Sequence, residues 1–205
     1  EKDLILILDE IQCGMGRSGK IFAFEYAGII PDVILASKAI GGTQPMSVVI
    51  YNKKLDTWGP GAHAGTFRGN QLAMVAGTVV MERLKSPGFL EAVIRKGDKF
   101  RSRMEALKAE CPIIGDVRGK GLMLGIEFVD PNGPVDIMGH PMESGTICAR
   151  VQKECFENHL VMEKGGRNGS TMRCLTALNI SDEDLETGIR ILEKVVRNIN
   201  KEYVK

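Results

Sequence analysis

An α/β fold is predicted for this chain: a mostly parallel sheet first, then a smaller α+β unit. Three observations support it. The apolar runs LILIL (residues 4–8) and VILAS (residues 33–37) are short, uninterrupted and bounded by charged or Gly-rich turns, the pattern of strands covered on both faces of a parallel sheet. Long segments of helical period follow, from Gln71 to Glu110. Past Cys111-Pro112 the pattern changes to short strands mixed with helices, which marks a second unit.

The first strand ends in Asp9-Glu10, and the second runs into Lys38 and then Ile40-Gly41-Gly42. Ligands of such sheets bind outside the carboxyl ends of the strands, so Asp9 and Lys38 are expected at the rim of one crevice. A lysine held among apolar neighbours has its charged form disfavoured, and its free amine can attack a carbonyl. An ionised aspartate nearby can hold a proton on a heterocyclic nitrogen. These are the two protein groups that pyridoxal phosphate needs: an amine to carry it and an acid partner for its pyridinium nitrogen. The structural alternative is a turn or capping Asp beside a solvated Lys, and the pair by itself leaves both readings open.

Between the two strands lies GMGRSGK, in which Gly14, Gly16 and Gly19 satisfy G-x-G-x-x-G. Context argues against a nucleotide site. A phosphate-binding loop needs Ser or Thr after its Lys, and Ile21 follows Lys20. A dinucleotide fingerprint wants its first Gly directly at the strand end and an acid at the end of the next strand, where this chain has Lys38. Tight turning of the backbone is the better account of these glycines.

Residues 21–27 predict a short helix closed by Gly28, and MSVVIY (residues 46–51) predicts a third strand. The loop from Asn52 to Asn70 carries four glycines with His63, Thr66 and Arg68, and is long enough to be functional. Helices are expected over 71–85 and 89–110, split by Ser86-Pro87-Gly88. In the second, Leu90, Val93, Ile94, Phe100, Met104 and Leu107 form an apolar stripe, with a basic face expected to be solvated. That helix carries the chain from a large domain (1–105) into a small one (106–205).

In the second domain, strands are expected at IIGDV and LMLGIEFV, joined by Arg118-Gly119-Lys120-Gly121. An irregular, mobile stretch should run from 130 to 145, then a helix over 146–159, a strand near Val161 and another over 171–178. Ser181 with Asp184 should cap a last helix that turns Leu185, Ile189, Leu192, Val196 and Ile199 inward. Arg173 stands in a strand of otherwise apolar and hydroxyl residues and needs an anion there, either a bound carboxylate or a structural partner.

Composition narrows the classes of function. With 205 residues and 43 % hydrophobic content a core is affordable, but aromatics are only 5 %, so aliphatics and ten Met must fill it. A net charge of +1 gives no footprint for nucleic acid or a membrane surface, which leaves a small molecule as the expected partner. Five cysteines without CxxC spacing fit reduced thiols in the cytoplasm better than disulfides or a zinc site. No apolar run approaches the ~20 residues of a membrane helix.

Three blocks, DEIQCGMGRSG, PDVILASKAIGG and AGTFRGNQLAMVAG, in this order and spacing, resemble the class III pyridoxal-phosphate aminotransferases. The last two most resemble the branch acting on L-2,4-diaminobutyrate with 2-oxoglutarate. The resemblance runs from Leu4 to about Leu192 and implies the fold type I architecture, an aminotransferase activity and a homodimer with shared active sites. It implies roles by position: Lys38 carries pyridoxal 5'-phosphate, Asp9 pairs with its ring nitrogen, and Gln12 lies against its phenolic oxygen. Thr66 reaches the phosphate of the neighbouring subunit's cofactor, and Arg173 takes the substrate carboxylate. Thr176-Ala177 stands where relatives commonly show a Pro-Pro pair, a departure that touches the strand end and not the arginine. Donors such as 4-aminobutyrate or ornithine are the alternatives within the family, and a binding or assembly module is the non-enzymatic one. The chain opens on a strand without Met, as the C-terminal half of a longer protein would. Such a half would lack the Gly-rich phosphate turn and the ring that stacks on the cofactor, and would be inactive alone.

Overall fold

The computed structural model describes residues 4–204, which form two compact units, Glu1–Ala92 and Val93–Lys205. The division falls inside a continuous helix, earlier than the expected boundary after residue 105. From Arg95 onward that helix pairs with side chains of the second unit, which is why no loop marks the change.

The first unit is built on a three-stranded sheet, β1 (Ile7–Asp9), β2 (Val33–Ala36) and β3 (Val48–Tyr51), in that spatial order. β1 and β2 are parallel and β3 is antiparallel to β2. The register of the parallel pair is set at the entry to β2. Asp32 Oδ2 accepts the Leu6 N–H (3.0 Å), while the Asp32 and Val33 N–H groups both donate to the Leu6 carbonyl (2.9 and 3.1 Å). Lys54 pairs with the same carboxylate at 2.8 Å. Its hydrogen bond, then that of Leu6, holds Asp32 below the usual carboxylate range. LILIL was expected to be buried, and it is not: Leu4 is 76 % exposed and Ile7 57 %. β1 is an edge strand paired only with β2, and among the described residues no strand lies on its other side.

Helix α1 (Gln71–Lys85) starts where Asn70 accepts the N–H groups of Leu72 and Ala73 (3.0 and 3.3 Å), so the cap is this Asn and not Thr66. α1 packs on the 3-10 helix Lys38–Gly41 that follows β2. Gly77 permits the approach, because a Cβ there would lie 2.5 Å from the Ile40 carbonyl oxygen and 2.9 Å from Met46 Cε.

The second unit takes up most of α2 (Phe89–Glu110), then β4 (Ile114–Lys120), β5 (Met123–Phe128), α3 (Gly145–Glu157), β6 (Glu163–Gly165), β7 (Thr171–Cys174) and α4 (Asp182–Asn200). Its sheet is antiparallel, in the order β4-β5-β7-β6. Alternate residues of β5, Leu124, Ile126 and Phe128, enter one core with Phe100, Met104 and Leu107 of α2, Ile147 and Val151 of α3 and the predicted inward face of α4. β7 stops at Cys174, short of the expected end at 178. Residues 130–145 are irregular but tied by bridges from Val129 to Glu143 and from Val135 to Pro141. Among the described residues no helix is long and apolar enough to cross a membrane.

The basic face of α2 is not merely solvated, as its spacing implied. Arg95 forms two bonds to Asp182 (3.0 and 3.2 Å), Lys99 reaches Glu186 (2.7 Å), and Arg103 grips Glu193 with two more (2.8 and 2.7 Å). Lys96, buried, donates to the Ile180 carbonyl. Charges that read as a solvent face in one helix meet the acidic start of another more than eighty residues later.

Two measurements check this architecture. Replacing Gly77 by Ala should gain up to ~1 kcal/mol of helix propensity, yet the overpacking against Ile40 costs ~1–3 kcal/mol; urea denaturation should show net destabilisation, and a more stable variant would contradict the packing. The second concerns acid. Lys99 and Arg103 lower the Glu186 pKa, and Arg95 lowers that of Asp182. Folded-state values below the unfolded ones mean stability that is complete at neutral pH and is lost as pH falls through the folded values, below about 4. Urea midpoints should drop there, and Glu186→Gln should flatten the drop; an unchanged profile would remove the pairs from the account.

Candidate active site

The parallel register sets Asp9 opposite Leu35. Lys38 follows the end of β2 by two residues, so Asp9 and Lys38 emerge at the same sheet edge from neighbouring strands, whose spacing is about 4.8 Å. This is the juxtaposition that the two strand endings predict.

Asp9 is exposed, and its Oδ1 accepts the Ile11 N–H at 2.9 Å. Its neighbour Glu10 is the buried acid of the pair, at 3 % exposure. Glu10 Oε2 accepts the Ala23 N–H (3.0 Å) and the Cys13 thiol (3.1 Å), and Oε1 accepts the Phe24 N–H (2.9 Å). It thereby holds the first N–H groups of the 3-10 helix Ala23–Ala27, and the glycine run folds beside it, with the Gly14 N–H on the Glu10 carbonyl (3.0 Å). Burial, then the Glu10 bond, pushes the Cys13 thiol up to about 11. Burial likewise raises Cys148 to about 11 and Cys155 to about 12, so these thiols remain protonated and unreactive.

Lys38 was expected among apolar neighbours and is instead exposed. The reason is the same as for LILIL: among the described residues nothing covers this edge. Its backbone is unusual, with φ at +53° in a residue that is not glycine. Such conformations cost on the order of 1–3 kcal/mol and gather at functional sites. Ser37, just before it, donates its hydroxyl to the Met46 carbonyl (2.9 Å), and α1 packs on the turn that follows.

Lys38 stands on the wall of a hollow of about 950 Å³, at the upper end of the range for small-molecule sites. Met46, Tyr51, Trp58, His63 and Arg68 also line it. Trp58 meets Tyr51 edge-on with ring centroids 5.2 Å apart and lies 6.1 Å from the His63 ring. Of the other predicted site residues, Asp9, Gln12 and Thr66 are not part of this wall; Thr66 is exposed, although its neighbours Gly65 and Phe67 line the hollow. Arg173 belongs to the second unit. There it lies opposite Glu163 of β6 and forms an ion pair with it, the structural partner that its strand position demanded.

Three features escaped the sequence reading. Glu10 was visible as half of an acidic pair, but nothing local marks which acid turns inward. The Trp58–His63 wall carries only a weak signal, one aromatic in a Gly-rich loop. Glu163 is one charge among many, and only strand register singles it out.

Known proteins supply the remaining comparison. Residues 1–196 match the family Aminotransferase class-III. The chain is 50 % identical to the diaminobutyrate--2-oxoglutarate aminotransferase of Rhizobium meliloti (strain 1021) over 88 % of its own length and 38 % of that protein's. It is 41 % identical to the enzyme of the same name from Haemophilus influenzae, over 94 % of this chain and 42 % of the relative. The structure of the ornithine aminotransferase from Toxoplasma gondii with partial occupancy of PLP superposes with a TM-score of 0.84 at 27 % identity, covering 99 % of this chain and 45 % of that one. The chain thus spans less than half the length of each of these relatives. With the family matched over almost its whole length, and a parallel strand pair that delivers an acid and a lysine to one edge, the chain belongs to the class III aminotransferases.

Proposed function

We propose that the protein containing this chain is a pyridoxal-phosphate-dependent aminotransferase that moves the terminal amino group of L-2,4-diaminobutyrate to 2-oxoglutarate, yielding aspartate 4-semialdehyde and glutamate. The observation that carries the proposal is the emergence of Asp9 and Lys38 at one edge of neighbouring parallel strands. The donor set fits the cofactor: a primary amine that can hold it covalently and a carboxylate that can face its ring nitrogen. The 950 Å³ hollow beside Lys38 has the room. The choice of donor is supported by the names of the two relatives above.

In this reading Lys38 holds pyridoxal phosphate, Asp9 pairs with the ring nitrogen, Gln12 contacts the phenolic oxygen and Arg173 binds the substrate carboxylate. When bound, the cofactor supplies an electron sink for the electrons released at the substrate carbon. Lys38, freed by the incoming amine, takes the proton from that carbon on Nζ and delivers it on the cofactor side. Its accessible position leaves the side chain room for that exchange. Asp9 stays ionised and keeps the ring nitrogen protonated. Thr66 serves a cofactor in a second copy of the protein. Its exposure supports that role, as does the bare face of α1, where Leu72, Val75 and Val79 recur at helical spacing with exposures of 59 % or more. Free thiols and the absence of a charged surface bias fit a cytoplasmic enzyme acting on small molecules.

Full-length protein tests these roles. Borohydride should lock the cofactor onto the peptide containing Lys38, in the native protein and in Asp9→Asn alike, while turnover of Asp9→Asn falls by about a hundredfold or more because a neutral amide no longer stabilises the ring charge. Label on Lys20 or Lys120, or near-native turnover of the variant, would end the assignment. A panel of L-2,4-diaminobutyrate, ornithine and 4-aminobutyrate, followed by glutamate formation, should rank diaminobutyrate first; a clear preference for either of the others would replace it as donor.

A further inference from the structure

Arg173 has a partner to which the roles above give no task. We infer that Glu163 determines donor specificity, and that it binds the α-ammonium of the donor while Arg173 binds the α-carboxylate. The inference rests on the aminotransferase reading and deepens it by saying which donors the site selects.

Glu163 and Arg173 are register partners on the antiparallel strands β6 and β7, so their side chains share one face. They form an ion pair in which the Arg173 side chain is 27 % exposed and the Glu163 side chain 60 %. The guanidinium lies along bare backbone: a Cβ on Gly165 would stand 3.1 Å from Arg173 Nε and 3.5 Å from Cδ and Cζ. On the other flank, the register partner of Arg173 on β5 is Gly125, which also has no side chain. A sheltered, oriented cation thus has an accessible anion on one side and a residue without a side chain on the other. An exposed ion pair contributes little to stability, and a carboxylate on the edge strand β6 is free to change partners.

The far end of L-2,4-diaminobutyrate or ornithine, away from the reacting amine, is a zwitterion with a carboxylate and an ammonium on one carbon. Placed against this pair, each ligand charge meets an opposite one, and neither Arg173 nor Glu163 is left unpaired. A donor that has the carboxylate but no α-ammonium, such as 4-aminobutyrate, takes Arg173 away from Glu163 and offers nothing in return. An N-acylated α-amine has the same defect. Discrimination of this kind, by a charge deprived of its partner, is larger than pocket size alone provides.

The test uses full-length, cofactor-loaded protein with Glu163→Gln and Glu163→Asp. For Glu163→Gln the KM of L-2,4-diaminobutyrate should rise about tenfold or more at nearly native kcat, while 4-aminobutyrate, as donor or competitive inhibitor, binds as well as before or better. Glu163→Asp should retain most of the selectivity. As a readout apart from turnover, 2-aminobutyrate should lose its advantage over butyrate as an inhibitor competitive with diaminobutyrate. An unchanged diaminobutyrate KM, or an equal loss for both donors, would reduce Glu163 to a structural counter-ion and overturn the inference. Failure of the underlying reading looks different: Arg173→Lys would then leave every carboxylate substrate unaffected, whatever Glu163 does.

Discussion

The clamp between Asp32 and Leu6 is small, a carboxylate and two backbone N–H groups at the entry to β2, yet the site depends on it. It fixes the register of β1 against β2, and a slip of one residue would turn every side chain of the strand to the opposite face. Asp9 would then face away from the side it now shares with Lys38. Control at one end of a strand pair therefore decides chemistry at the other. Glu10 secures the exit in the same manner, spending a buried carboxylate on the backbone of the next turn so that Asp9 beside it stays accessible. Two adjacent acids thus divide the work, one anchoring and one presenting.

Much of this was legible in the sequence, and the limits follow from what periodicity can encode. α1 and α2 run from Gln71 to Lys85 and from Phe89 to Glu110 as their spacing predicts, because a helical stripe and a Ser-Pro-Gly break are local signals. The inward residues of α4 are legible for the same reason. Strand burial was not: LILIL carries the composition of a covered strand but has no cover among the described residues, since cover belongs to whatever packs on a strand and not to the strand. Pairing was equally invisible. Arg103 and Glu193, or Arg173 and Glu163, become partners through register and helix packing, and neither residue alone names the other.

The second unit uses its charges in two ways. Along α2 and the start of α4 they form multiple, mutually supporting bonds: Glu186 receives Lys99 and Arg103, and Glu193 receives both bonds of the Arg103 fork. Such a mesh orients two helices and leaves little freedom for exchange. On the sheet edge, by contrast, Arg173 and Glu163 are joined by a single ion pair beside glycine. Redundant pairing fixes structure, whereas an isolated pair retains the capacity to trade partners.

Trp58 is the sole tryptophan in the sequence, and it stands on the wall of the hollow that also carries Lys38. Indole emission from this protein consequently originates at one place. A chromophore lodged in the hollow that absorbs in the near ultraviolet or blue would lie within energy-transfer range of that indole, and Tyr51 at 5.2 Å couples into the same ring. The chain therefore carries its own optical gauge, one that registers filling of the hollow by loss of fluorescence, with no label attached.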